Sequence, residues 1–221
     1  MTDFCRAPED LLLRHAAGAL DPAFSLLIET HLSMSPVSRR LHGRFEALGG
    51  ALLDEIEPAH VDPAALNRAL NALEDAEPAI SGDADAPRAG KHPDMPEGFS
   101  LPAPLRAVDI GPWRWIAPGV RSARIALPVS SAARAFMLEI AAGVTVPRHG
   151  HEGDEATCVL RGGFRDRAAQ FGPGDVAQVD ETIEHDIVVD PGVPCLCLIA
   201  MEGRTVPSSW FGRLYQKFRD I

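Results

Sequence analysis

Residues 148–155 read RHGHEGDE, and this stretch decides how the second half of the chain is interpreted. Side chains two residues apart on a β-strand point to the same side, so His149 and His151 can direct both imidazoles into one cavity. Glu155 has the same parity in a regular strand, and His185 follows beyond a Gly-Pro-Gly-Asp turn. Three imidazoles and a carboxylate suit a first-row divalent cation, so the pattern predicts one bound metal, with zinc favoured over iron, manganese and nickel. The alternative is a set of surface histidines in a glycine-containing loop.

The sequence around this stretch has the pattern expected of an all-β domain. From residue 101 onward, short apolar runs are separated by Gly and Pro, which predicts an antiparallel sandwich or a small barrel. The runs are WRWI (113–116), VRSARIAL (120–127), AFMLEIAA (135–142), ATCVLRGGF (156–164), DVAQV (175–179), DIVV (186–189) and CLCLIAM (195–201). A helix is predicted only at the C-terminus, within residues 209–218.

The first 75 or so residues predict four helices, each preceded by a capping residue or a proline. The start signals are Pro8, Asp21-Pro22, Ser35-Pro36 and Asp62-Pro63. Apolar residues line one face of the third helix (Val37, Leu41, Phe45, Leu48, Leu52) and one face of the fourth (Leu66, Leu70, Leu73). Residues 76–100 are rich in Pro, Gly, Ala and Asp, which predicts a flexible linker.

Composition excludes several classes of function. The 221 residues carry a net charge of -10, so a phosphate backbone is repelled and direct nucleic-acid binding is not expected. No apolar run approaches the roughly 18 to 20 residues of a membrane span, and no signal-type N-terminus is evident. The four cysteines are too few and too unevenly placed for a disulfide framework. We therefore expect a cytoplasmic protein that does not contact the membrane.

The motifs of the β-rich half resemble the cupin family, a small β-sandwich of the jelly-roll type. RHGHEGDE, GGF, FGPGDV and the pair Glu184-His185 are similar to its two conserved halves, in the same order. The resemblance covers residues 101–221. It implies that His149, His151, Glu155 and His185 are the metal ligands.

The whole chain resembles the ChrR-type anti-sigma factors, in which a zinc-binding helical domain precedes a cupin. The stretch AAGALDPAFSLLIETHLSMSPVSRR is similar to the helices of that domain, and PCLCLIAMEG is similar to its late strand. The resemblance implies an all-α domain at residues 1–75, the linker at 76–100 and an all-β cupin at 101–221. It also implies that the helices sequester a sigma factor of the extracytoplasmic-function (ECF) class, and that the cupin senses an oxidant or ligand.

The sequence departs from this family at the helical zinc site. The family has the frame H-x3-C-x2-C and a further histidine near the start, whereas this chain has His31, Ser35, Ser38 and, near the first position, Cys5. Serine is a poor zinc ligand, and structural sites need four ligands. We predict no zinc in the helical domain, which would be stabilised by burial of apolar side chains if the helix beside the linker packs well.

Two other classes stay open: a metal-dependent cupin oxygenase and a small-molecule-binding cupin with a vestigial helical arm. No catalytic residue is assigned. Cys195 and Cys197 are interpreted as buried side chains rather than a redox pair. His15, His42 and His60 have no ligand partners at useful spacing and are expected to be solvated.

Overall fold

A computed structural model describes residues 6–75, 89–167 and 169–207 of the chain. Cys5, the predicted C-terminal helix and residues 76–88 of the predicted linker lie outside the described residues. Within the described part, no helix is both long enough and apolar enough to cross a membrane.

The N-terminal helices begin at the predicted signals. Asp21 caps the second helix by accepting a hydrogen bond from the backbone N–H of Ala23 at 2.8 Å, and Ser35 caps the third by accepting from the N–H of Ser38. Pro22 occupies the first turn of its helix, where its missing N–H costs nothing. The helices are α1 (Glu9–Ala16), α2 (Pro22–Met34), α3 (Pro36–Asp54), α4 (Ala65–Asp75) and the short α5 (Ala103–Arg106).

The rest of the described chain is built from short strands, as the alternation of apolar runs and turns predicts. The strands are β1 (Arg114–Ala117), β2 (Val120–Arg124), β3 (Arg134–Ile140), β4 (Thr145–His151), β5 (Glu155–Arg161), β6 (Phe164–Arg165), β7 (Gln170–Phe171), β8 (Val176–Val179), β9 (His185–Val189), β10 (Cys195–Met201) and β11 (Thr205–Pro207). They form a six-stranded sheet of order β1-β2-β3-β10-β5-β8 and a five-stranded sheet of order β11-β4-β9-β6-β7. All the pairings between these strands are antiparallel.

Strand β10 separates two apolar cores because its side chains alternate between the two faces of the sheet. Cys195, Cys197 and Ile199 belong to the core between the two sheets, and the Sγ atoms of the two cysteines lie 3.4 Å apart. Both thiols are buried, as the sequence analysis expects. Leu196 and Leu198 belong to a second core on the outer face of the six-stranded sheet, which helix α2 covers.

Helix α2 supplies much of this second core. Phe24, Leu27 and Ile28 are buried against side chains of the sheet, and each such burial contributes roughly 1.5 to 3 kcal/mol. The core of the helical region is therefore shared with the β-sandwich.

The segment before α5 runs along the start of the β region. The N–H of Gly90 donates to Arg106 O at 2.8 Å, and the indole N–H of Trp113 donates to Asp94 O at 3.0 Å. A Cβ atom at Gly90 would lie 2.0 Å from the carbonyl oxygen of Val108, so this approach requires glycine. The last part of the predicted linker thus makes specific contacts.

The apolar stripes of α3 and α4 are not buried as the sequence suggested. Leu41 and Phe45 pack against the helical core, but Leu48 and Leu52 are 54% and 57% exposed. On α4, all three leucines of the predicted stripe are exposed. The condition that the helix beside the linker packs well is therefore not met by these leucines.

Two of the three histidines predicted to be solvated are instead paired. His15 Nδ1 lies 2.8 Å from His42 Nε2, and both rings are half-buried, whereas His60 is exposed as expected. Burial lowers the pKa of His15 and the neighbouring His42 lowers it further, against the opposing effect of Glu29 and Glu46. The pair joins α1 to α3.

Acid is expected to weaken the fold through His15. The pKa of His15 in the folded state is below its ordinary value of 6.5. The contribution of neutral His15 to stability is therefore complete above about pH 6.5, and it is lost as the pH falls from 6.5 through the folded-state pKa. The wild-type chain should lose more free energy of unfolding between about pH 7.5 and about pH 5.5 than His15→Gln. Urea denaturation at both pH values measures this, and equal losses in the two proteins would contradict it.

Candidate metal site

Three of the four predicted ligands converge between the two sheets. His149 and His151 lie on β4, and His185 begins β9, where it is the direct cross-strand partner of His149. The alternation along β4 places both of its histidines on the inner side, as RHGHEGDE predicts. These three are the described residues whose ligand atoms come close enough together to hold a metal ion.

The ring nitrogens face one another. His185 Nε2 lies 3.1 Å from His151 Nε2 and 3.2 Å from His149 Nε2. His149 Nδ1 lies 2.9 Å from Pro147 O and must donate to it, so a neutral His149 presents a bare Nε2 lone pair to the cluster. A single proton on His185 Nε2 can be donated to only one of its two neighbours. At least one lone pair is left without a donor, an arrangement that a cation satisfies.

The lowered pKa values of these histidines favour neutral imidazoles, the form in which histidine binds a metal ion. Burial, together with the charges of His149 and His185, lowers the pKa of His151 to about 4. Burial and the charge of His149 together lower the pKa of His185 to about 4, against the opposing effect of Asp166 and Asp186. The pKa of His149 is lowered by burial as well. Near neutral pH, a proton is therefore a poor occupant of the cluster, and a metal ion fits it.

Glu155 lies beside the cluster, at the start of β5. Its Oε2 is 3.3 Å from His151 Nδ1, on the far side of the ring from the three Nε2 atoms. This approach lacks hydrogen-bond geometry, so His151 Nδ1 has no hydrogen-bond partner among the described residues. The hydroxyl of Thr157 donates to Glu155 Oε1 at 3.3 Å. Burial raises the pKa of Glu155 to about 7, although the Thr157 hydrogen bond opposes the shift.

The Glu155 carboxylate therefore lies outside the group of three ligand nitrogens that the structure brings together. Glu155 is buried and adjacent, but it faces the second nitrogen of a ligand ring, which is where carboxylates often orient metal-bound histidines. Thr157 holds the carboxylate and was not identified from sequence. Its position two residues after Glu155, on the same side of a strand, is the pattern that points to it.

The helical H-x3-S-x2-S frame is buried as a unit. His31, Ser35 and Ser38 are all 2% exposed or less, and Ser35 Oγ donates to Ser38 Oγ at 3.2 Å. His31 Nδ1 lies 2.7 Å from the carbonyl oxygen of Gly174, in the β-sandwich. Its Nε2 is buried and has no hydrogen-bond partner among the described residues. Burial lowers the pKa of His31, so the ring is neutral near pH 7.

The fold and the histidine cluster define a class of protein: a cupin-like β-sandwich with helices at its N-terminus. The family described as the ChrR cupin-like domain matches residues 105–202. The anti-sigma-E factor ChrR of Cereibacter sphaeroides is 37% identical over 215 residues, which cover 94% of this chain and 94% of that protein. The chain belongs to the ChrR family of anti-sigma factors.

A solved structure extends the likeness to three dimensions. The crystal structure of Rhodobacter sphaeroides SigE in complex with the anti-sigma ChrR is similar with a TM-score of 0.67 and 35% identity, over 89% of this chain and 98% of that chain. The family predicted from the sequence is therefore confirmed. Membership supports a regulator rather than the alternative cupin oxygenase.

Proposed function

We propose that this protein sequesters an ECF-class sigma factor in the cytoplasm, through its helices, and that its cupin binds a divalent metal and controls release. Family membership and a relative crystallised with SigE support the choice of partner. Release would follow from any signal that favours the partner-free form of the protein.

The exposed apolar side chains of α3 and α4 carry this proposal. Together with two exposed residues of the segment between the helices, they form what we call the α3–α4 apolar surface. Its members are 48% to 73% exposed: Leu48, Leu52, Leu53, Ile56, Val61, Leu66, Leu70 and Leu73. Apolar surface of this extent on a soluble protein marks an interaction site. The α4 leucines recur at intervals of four and three residues, the spacing of one helix face that lies in a groove of a partner.

Co-expression with an ECF-class sigma factor tests the proposal. We expect the two chains to copurify in a 1:1 complex, and we expect that complex to exclude core RNA polymerase. A sigma factor that binds polymerase equally well with and without this protein would overturn the assignment.

We further propose that His149, His151 and His185 hold one zinc ion in the cupin, and that Glu155, the fourth ligand predicted from the sequence, orients the His151 ring. Three neutral imidazoles with facing lone pairs fit zinc, and a buried carboxylate supplies the negative charge that a divalent cation needs. When bound, the metal would supply a fixed crosslink between β4 and β9, and the contact of Glu155 with the His151 ring would connect this crosslink to β5. For the helical region we propose no zinc, because Ser35 and Ser38 offer hydroxyls rather than thiolates.

Removing one imidazole is expected to abolish tight metal binding. Loss of partners that merely orient a ligand costs about 10- to 100-fold in affinity, so His185→Ala should weaken zinc binding by at least on the order of 100-fold. Calorimetric titration of zinc into chelator-treated protein measures the effect. His60→Ala, on an exposed histidine, is the control and should bind like wild type. Equal affinities for His185→Ala and wild type would refute the site.

A further inference from the structure

The hydrogen bond from His31 to Gly174 joins two parts of the chain that are 143 residues apart in sequence. His31 is fully buried near the C-terminal end of α2, and its Nδ1–H is the donor because a carbonyl only accepts. A buried hydrogen bond of this kind fixes the helix to one atom of the sandwich.

The accepting carbonyl is held rigidly. Gly174 N–H donates to Val159 O at 2.8 Å, and Val159 N–H donates to Asp175 O at 3.0 Å. The Asp175 carboxylate accepts from the N–H of Gly172 at 2.7 Å and closes the turn. Gly174 has φ of +91°, a conformation that favours glycine. The turn at residues 172–175 is thereby tied to strand β5.

The other end of α2 is tied to the sandwich as well. Asp21, its capping residue, accepts from the Ser131 hydroxyl at 2.7 Å and from the Ala132 N–H at 2.7 Å. Burial opposes ionisation, but these hydrogen bonds prevail and lower the pKa of Asp21. Between the two ends, Phe24 and Leu27 pack into the core shared with the sheet.

We propose that the turn at residues 172–175 is a latch that holds α2, through His31, against the sandwich, so that docking of the helices depends on strand β5. His31 has the retained position of a zinc ligand, yet in this chain its ring ties the helices to the cupin. Because β5 begins at Glu155, the latch gives the proposed metal site a physical route to the helices. This route rests on the proposed function of the cupin as a metal site.

Hydrogen–deuterium exchange of the full-length chain tests the latch. His31→Phe removes the donor but keeps a ring, and both the α2 peptide and the turn peptide should exchange on the order of tenfold faster than in wild type. Thr30→Val is the matched control, because Thr30 is equally buried but donates within its own helix, to Leu26 O at 2.8 Å. It should leave the turn peptide at the wild-type rate. A turn peptide unchanged in His31→Phe, or accelerated equally in Thr30→Val, would overturn the latch.

A second variant covers the case in which His31→Phe does not fold. Ser131→Ala removes the partly exposed contact to Asp21 and keeps the helix cap. We expect faster exchange in both the start of α2 and the segment around residue 131. Unchanged rates in both segments would refute docking by these contacts.

Exchange measured with and without zinc distinguishes the proposed latch from the proposed metal site. In chelator-treated wild type, added zinc should slow exchange in both β5 and α2, whereas in His31→Phe it should slow β5 alone. Slowing of α2 in both proteins would show that the route does not pass through His31. The readout is internal to the free chain, so failure of sigma-factor binding leaves the test of the latch intact.

Discussion

Replacing Ser35 and Ser38 with cysteine is expected to create a zinc site in the helical region. The two hydroxyls lie 3.2 Å apart beside a buried helix end, and His31 Nε2 has no hydrogen-bond partner among the described residues. Two thiolates and this nitrogen give three ligands, and Cys5 is the candidate for the fourth. Structural zinc binding is worth about 10 kcal/mol or more in small domains, so at about 2 to 4 °C per kcal/mol we expect Tm to rise by roughly 20 to 40 °C.

The measurement is zinc content together with a thermal melt. The double variant should hold one zinc more per chain than wild type, and cobalt(II) should give it a thiolate charge-transfer spectrum. Ser33→Cys with Ser38→Cys is the matched control, because it adds the same number of thiols but places one at an exposed position outside the frame. No gain of zinc over this control would mean that His31 is unavailable as a ligand.

The elements of the fold could be predicted from the sequence because their signals are local. Capping residues and prolines mark the starts of α1 to α4, and the alternation in CLCLIAM sets which side chains of β10 face each core. The convergence of His149 and His151 followed from parity along β4. In each case the relevant interaction lies within a few residues.

The contacts between distant segments could not be predicted in this way. His31 was recognised as one member of a zinc frame, but its hydrogen bond to Gly174 depends on how α2 crosses the sheet. The pairing of His15 with His42 likewise depends on the packing of α1 against α3. Glu155 has the parity of a ligand, yet its carboxylate lies on the other side of the His151 ring. Side-chain direction at that scale is a property of tertiary packing.

The exposed stripe on α4 shows a different limit of sequence reasoning. Leu66, Leu70 and Leu73 have the spacing of a buried helix face, and the pattern is the same whether the covering surface lies in the same chain or in a partner. Only the structure shows that they are exposed within this chain.

Placing charge on this stripe is expected to abolish capture of the sigma factor while leaving the fold intact. The double variant Leu66→Glu, Leu70→Glu replaces two side chains that are 66% and 48% exposed. Its new carboxylates stay hydrated in the free protein. In a complex they would be buried without partners. Interface anchors of this kind contribute about 2 kcal/mol or more each, so affinity should fall by at least on the order of 100-fold. Binding is measured by calorimetry or biolayer interferometry with the purified sigma factor.

The control distinguishes the effect of losing an apolar contact with the partner from the effect of adding negative charge. Val129→Glu adds a carboxylate at a fully exposed apolar residue of the β region, so it changes net charge without touching the α3–α4 apolar surface. We expect this variant to bind the sigma factor with wild-type affinity, and we expect both proteins to melt within a few degrees of wild type because each altered side chain is exposed. If the α4 variant binds as tightly as Val129→Glu, the partner contacts a different face.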